Sequence, residues 1–501
     1  MKLEKSAENR SAKMLLLVFG ALLFTYTVIR AYCLSITWDE AFSYMEFVRN
    51  GIVFPEKYVK MSANDHLLNT ALMIFFSKLF GISLFVLRIP NLIAHLLFLY
   101  FSAKLVGRFE NSFLMISTFL ILNVNPYFLD FFSLARGYGI SFGCMMASLY
   151  YLYCTFAEEE KRKHAQISLS FAALALFANF ALLNYFLVSV GVLKLYFLFI
   201  SAKIQGTRGE KIKQFFSNTA LSLILSSIVL FAIVPILLHL KAAGALFFGE
   251  NVSLWSSTIS PLVGQLIYIP GGNITVERLI KGSIFLVLAG SLIIYIYDAY
   301  KHKITYQNRF LSCVLLLLLL SSFAVVIEHQ LFGTPYLLNR TGLFLFLLFV
   351  VILVFLLNEL TKQKRQIIVV AVSIAFLFTA HFCYSANFNY VFEWRYDADT
   401  KEMISDLQKM HGEKSSEKIH LGIPMIIDPD IDFYVETQNL NWLTTGWSNP
   451  ASGIPCDYLF LPPQEFEKTT EETVELIKKY PTTGNVLLRV KKAAPTSSQL
   501  P

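Results

Sequence analysis

The chain has 501 residues, of which 55% are hydrophobic and only 15% charged, with a mean hydropathy of +0.55. So few charges over such a length exclude a soluble globular protein, which would have to expose large apolar areas. The net charge of +7 comes without a basic-aromatic stripe or a Gly-rich phosphate loop, so a nucleic-acid partner is not expected.

The chain opens on a charged tail, then runs apolar from Met14 to about Ile36. That stretch is too long for a signal-peptide core and has no small-residue cleavage site, so it reads as a retained first membrane helix. Windowed hydropathy predicts about eleven spans, near 14–36, 89–107, 111–127, 137–157, 165–181, 183–203, 216–240, 279–298, 308–328, 339–358 and 366–384. The stretch His66 to Phe80 is apolar but short and carries Asn69 and Lys78, which suits an interfacial or half-inserted helix. Leu311 to Phe323 and Phe344 to Leu357 are almost free of polar groups.

Loop charge sets the expected orientation. With the N-terminal tail (Lys2, Lys5, Arg10, Lys13) in the cytoplasm, the inner loops include Lys161-Arg162-Lys163, Lys203 to Lys213, Lys301 to Arg309 and Lys362 to Arg365. They hold roughly nineteen Lys and Arg, about twice the number in the longer outer loops. The reading is thus a multi-pass protein of the inner or plasma membrane. Residues 1–384 form the membrane domain, and 385–501 form a small extracytoplasmic α/β domain of about 115 residues. In that tail, Lys401–Met410 and Thr470–Lys479 read as helices, and Ile419–Ile427, Tyr458–Leu461 and Val486–Val490 as strands. Five of six cysteines lie in or beside apolar segments, Cys456 is the sixth, and no CxxC occurs, so neither a disulfide framework nor a zinc site is expected.

Four polar clusters fall on the expected outer side. Thr37-Trp38-Asp39-Glu40 places two acids where the first helix ends. Thr37 and Glu40 fit a capping box, which leaves Asp39 for another role; a partly desolvated carboxylate there suits a general base. Asn64-Asp65-His66 precedes the short apolar helix, as a cap or as the lining of a headgroup cleft. Asp130 and Ala135-Arg136-Gly137-Tyr138-Gly139 follow; an arginine at the outer boundary with glycines beside it suits a phosphate, the alternative being an Asp-Arg pair with a snorkelling Arg136. Glu328-His329 and Asn339-Arg340 pose the same choice for Arg340. Asp428-Pro429-Asp430-Ile431-Asp432 lacks the Gly and distal Glu of a calcium loop and reads as a turn.

In order and spacing, three elements resemble the GT-C class of membrane glycosyltransferases, specifically bacterial relatives of the protein O-mannosyltransferases and of the lipid A aminoarabinose transferase. They are Asp39-Glu40-Ala41, Phe80-Gly81-Ile82-Ser83 with Leu87-Arg88-Ile89-Pro90-Asn91, and Ser133 to Tyr138. The resemblance covers Met14 to Arg162 well and the remaining spans loosely. It implies an all-α polytopic domain and an inverting transfer from a polyprenyl-phosphate sugar to a hydroxyl of a glycan, lipid or protein, outside the cytoplasm. It implies Asp39 as base, Asp130 as a second catalytic acid, Arg136, Arg340 and Tyr138 at the donor phosphate, and Glu40, Asp65 and His66 at the substrate. No cofactor and no metal are expected. Where many relatives carry a His-Pro-Pro-like element, this chain has Asn64 to Asn69. A transporter or flippase of a lipid-linked sugar is the competing class; it predicts mid-bilayer charges and two similar halves, neither of which is evident.

Overall fold

The computed structural model describes residues 2–54, 62–203, 205–246, 248–301, 305–412, 417–447, 456–469 and 473–491. The helices are α1 (Lys2–Cys33), α2 (Trp38–Ser43), α3 (Leu67–Phe80), α4 (Leu84–Val106), α5 (Ser112–Asn123), α6 (Pro126–Asp130), α7 (Gly137–Ala157), α8 (Lys161–Ala178) and α9 (Leu183–Ala202). They continue with α10 (Arg208–Ala242), α11 (Ser260–Ile267), α12 (Ile274–Tyr300), α13 (Tyr306–Phe332), α14 (Leu343–Gln363), α15 (Ile367–Ser385), α16 (Thr400–His411), α17 (Asp428–Thr437) and α18 (Pro463–Phe466). The five strands are β1 (Ile419–Ile423), β2 (Leu443–Trp447), β3 (Tyr458–Leu461), β4 (Val474–Lys479) and β5 (Val486–Val490).

The chain is a polytopic membrane protein: among the described residues, nine helices are long and apolar enough to cross a bilayer. The expected eleven are not met on that criterion. Two of them, 111–127 and 165–181, correspond to α5, whose 12 residues end at the Asn125-Pro126 break, and to α8, whose first turn is Lys161-Arg162-Lys163. The short apolar stretch from His66 to Phe80 forms α3, of 14 residues.

Two compact units make up the chain. The larger is Met1–Val28, Val53–Leu72 and Arg88–Ala386. Within it, α7 and the span Asn339–Gln363 are each 78% buried over their most apolar window, whereas Ile274–Tyr300 and Ile367–Ser385 are 11% buried. The first two are therefore central, and the last two lie at the periphery, with most of their apolar side chains exposed. Aromatic contacts bind the centre: Phe128 stacks on Phe142 with ring centroids 4.5 Å apart, and Phe310 meets Phe355 at 4.6 Å.

The second unit is Ile29–Ile52, Met73–Leu87 and Asn387–Pro501. Its sheet has the order β2-β1-β3-β5-β4, parallel across β2-β1-β3 and antiparallel across β3-β5-β4. Leu461, Val474, Val486 and Leu488 form a buried cluster on it. Three tail expectations change here. The expected helix Thr470–Lys479 is the strand β4 from Val474 onward, because Val474 and Leu476 pair with Val490 and Leu488 across an edge that β5 would otherwise leave open; 470–472 lie outside the described residues. The strand expected over Ile419–Ile427 stops at Ile423, where Pro424 has no N–H to continue the ladder. The acidic turn at 428–432 is the first turn of α17, with Pro429 at its start and Asp428 and Asp430 at the positive end of the helix dipole. Strand β2, from Leu-Thr-Thr-Gly-Trp, was not anticipated.

Candidate active site

Polar residues singled out in the sequence gather in two places, one in each unit. In the second unit, α1 ends at Cys33 and the chain turns through an extended Thr37 (φ −97°, ψ 153°) into α2. The Glu40 carboxylate accepts the Thr37 N–H at 3.0 Å and the Thr37 hydroxyl at 3.1 Å, so Glu40 returns to the start of its own helix. Asp39 is buried, and its carbonyl accepts the Ser43 hydroxyl at 2.8 Å. Trp38 stacks on Phe42 at 5.2 Å. The preceding residues are held by Tyr434, whose hydroxyl accepts the Ile36 N–H at 3.0 Å and lies 3.3 Å from Ser35 Oγ. The π-turn that follows, Tyr44–Val48, is anchored by Glu436, which accepts the Tyr44 hydroxyl at 2.9 Å and pairs with Arg49 at 2.8 Å.

The larger unit holds the other cluster. Its frame is a ladder of asparagines: Asn69 Nδ2 donates to the Ala135 carbonyl at 3.0 Å, Asn91 Nδ2 donates to Asn69 Oδ1 at 2.9 Å, and Asn91 Oδ1 accepts the Ile140 N–H at 3.1 Å. These fix residues 135–140 at the start of α7. Glycine is required there: a Cβ on Gly137 would lie 1.9 Å from the Ala178 carbonyl oxygen and 2.7 Å from His66, and one on Gly139 would lie 2.5 Å from Asn91 Oδ1. Arg136, 2% exposed, donates to Asn64 Oδ1 at 2.5 Å and to the Asn64 carbonyl at 3.3 Å. Tyr138 meets the His66 ring edge-on at 5.1 Å. Arg340 lies over the Phe248 ring at 4.2 Å.

Electrostatics tie these residues together. The His66 imidazole is held well below its ordinary value, first by burial and then by the positive fields of Arg136 and Arg340. It is therefore neutral, and its Nε2 meets no hydrogen-bond partner among the described residues. Asp65 is buried and accepts the Thr70 hydroxyl at 2.7 Å; burial raises its carboxyl to about 6, against the opposing pull of Thr70 and Arg136. Asp65, His66, Arg136, Tyr138 and Arg340 thus form one constellation, with two guanidiniums at its edge. Such an arrangement suits an oxyanion, since fixed cations in a water-poor site act on negative charge at low reorganisation cost.

Asp130 ends α6 in the same unit. Both of its oxygens accept the Tyr268 hydroxyl, at 3.1 and 3.0 Å, and Asn125 at the head of α6 donates to the Leu266 carbonyl at 3.1 Å. Tyr268 is a left-handed residue (φ 55°) at the end of α11. Sequence reasoning missed Tyr268 and the bracing role of Asn91 and Asn69. Asn91 lies in the Arg88-Ile89-Pro90-Asn91 element, and a polar side chain inside an apolar helix was the signal. Asp39 and Glu40 are accompanied by two further acids, Asp397, which no motif marks, and Asp430, which reads in the sequence only as part of an acidic turn. Among the described residues no group of three or more His, Cys, Asp or Glu has the arrangement of a metal site.

No protein-family profile matches the chain, and no curated protein matches it. The solved structures similar to it include two of ArnT from Cupriavidus metallidurans. One is bound to undecaprenyl phosphate, with a TM-score of 0.46, 11% identity, and coverage of 95% of this chain and 97% of that one. The other, in the apo state, has a TM-score of 0.47, 11% identity, and coverage of 95% and 98%.

Proposed function

We propose that this chain is a membrane glycosyltransferase that moves a sugar from a polyprenyl-phosphate donor to an acceptor hydroxyl on the outer face of the membrane. The observation that carries the reading is the buried Arg136 at the glycine-lined start of α7, with His66 and Tyr138 packed edge-on beside it. A buried guanidinium with glycines beside it suits a phosphate that keeps its lipid chain in the bilayer. In the reaction, the acceptor oxygen bonds to the anomeric carbon while the bond from that carbon to the phosphate oxygen breaks, which inverts the configuration. Asp39 takes the proton of the acceptor hydroxyl, and polyprenyl phosphate leaves with the bond's electron pair, its charge offset by Arg136 and Arg340. By the family resemblance Tyr138 serves the donor phosphate, Glu40, Asp65 and His66 serve the substrate, and Asp130, held by Tyr268, is the second acid. The distribution of Lys and Arg supports a cytoplasmic N-terminus and an extracytoplasmic tail.

The test is turnover. Purified protein in nanodiscs, given a panel of polyprenyl-phosphate sugars and hydroxyl acceptors, should release polyprenyl phosphate in step with glycosylated product. Movement of intact lipid-linked sugar between leaflets, with no cleavage of the sugar-phosphate bond, would instead place the chain among flippases.

A further inference from the structure

The second unit contains a buried arrangement that the proposed chemistry does not use. Asp397 Oδ2 accepts the Trp38 N–H at 2.8 Å, so a carboxylate from the turn Arg395–Asp397 caps the helix that carries Asp39. Its Oδ1 meets no donor, and neither oxygen of Asp430, which is 0% exposed, meets one among the described residues. A buried carboxylate without any donor is costly, by several kcal/mol. The neighbour of Asp430 is Asp397 itself. Two adjacent carboxyl groups of this kind are relieved when one of them carries a proton and donates it to the other, as like charges at short range cannot both ionise.

We propose that Asp397 and Asp430 are positioning residues for Asp39: the pair shares one proton, held on Asp430, so that Asp397 keeps the negative charge that caps α2. The proposal rests on the reading of Asp39 as the base. In this arrangement Asp430 donates to Asp397, Asp397 accepts from Trp38, and Trp38 fixes the start of the turn on which Asp39 sits. Burial is the largest cause holding both carboxyls well above the ordinary aspartate range, followed for Asp430 by the charge of Asp397. The other charged groups that face the pair are Asp39 and Glu40 of α2. Loss of the shared proton puts a second negative charge beside Asp397, Asp39 and Glu40, and the cap on α2 is strained apart. The device is therefore a proton-dependent latch on the catalytic turn.

Hydrogen exchange in the full-length protein reads this latch without reference to activity. The probe is protection of the peptides spanning residues 35–45, corrected for intrinsic exchange, across about pH 5 to 9. Wild type should lose protection roughly tenfold toward the alkaline end. Asp430→Asn, whose amide stays neutral and can still donate to Asp397, should flatten that dependence, and Asp397→Ala should be poorly protected at every pH. In transfer assays Asp397→Ala should lower kcat roughly tenfold with donor KM unchanged, since it moves the base and not the phosphate site. Protection that does not change with pH in wild type, or that falls equally in Asp430→Asn, overturns the latch. Should Asp397→Ala fail to fold, the Asp430→Asn comparison decides alone. A wild type that transfers no sugar yet shows the predicted exchange would sink the glycosyltransferase reading and leave the capping of α2 standing.

Discussion

Each of the two arginines is held by a local contact. Arg136 donates to Asn64, a neutral amide, and Arg340 lies on the Phe248 ring. A snorkelling arginine would have reached out to water; Arg136 is instead 2% exposed. Arg136→Ala and Arg340→Ala should each raise donor KM about tenfold or more, the loss of a charge-assisted contact of about 1.5–3 kcal/mol, and leave acceptor KM near its wild-type value. Equal effects on both substrates would remove the phosphate assignment. Asp39→Asn should lower kcat by about 10²–10⁴ while membrane insertion and melting temperature stay close to wild type. Asp65 makes a pH prediction. Its folded value of about 6 lies above the ordinary 3.8, so the folded protein keeps a proton that the unfolded chain has released. Stability should then decline as pH rises from 3.8 to about 6, and Asp65→Asn should flatten that slope in thermal unfolding. The site residues themselves were legible, because polar groups beside apolar spans stand out. Their bracing was less so: Asn91 shows only as a polar residue inside an apolar helix, and Tyr268 reaches Asp130 through the fold, with nothing local to distinguish it.

At the scale of elements, α7 shows how a short motif serves several needs at once. Gly137 admits the Ala178 carbonyl and His66, Gly139 admits Asn91, and Arg136 stands at the helix start. Gly137→Ala sets a methyl 1.9 Å from a backbone oxygen, which cannot yield as a side-chain end would. It should cost about 1–3 kcal/mol of stability and also weaken donor binding, because His66 and the Arg136 end of α7 must shift together. A variant with unchanged melting temperature and unchanged donor KM would show that this contact is looser than the structure makes it. The same scale explains what sequence reading misjudged. Val474 to Lys479 has an apolar residue followed by charges at both spacings, and only its partner β5 decides for strand. Asp428 to Asp432 has the composition of a turn, but acids and a proline also begin helices well, and α17 is the result.

For the whole molecule, hydropathy runs gave the polytopic architecture directly, since apolar stretches of bilayer length have few alternatives. Helix length divided the count: α5 and α8 fall short on length or charge, although both lie where spans were expected. The sidedness argument rests on Lys and Arg in the loops and has its own test. Met425, 65% exposed in the tail, can be replaced by cysteine and compared with wild type for reaction with an impermeant thiol reagent in intact or outer-permeabilised cells. Added labelling supports an extracytoplasmic tail, and labelling only after lysis reverses the orientation.

The central claim is that a sugar-phosphate bond is broken at this site, and the most direct measurement is release of polyprenyl phosphate from a polyprenyl-phosphate sugar by the purified protein, with Asp39→Asn alongside. The account predicts release coupled one-to-one to a glycosylated acceptor of inverted anomeric configuration, and a rate in Asp39→Asn lower by about 10² or more. Equal rates in the two proteins, or product with retained configuration, would contradict it.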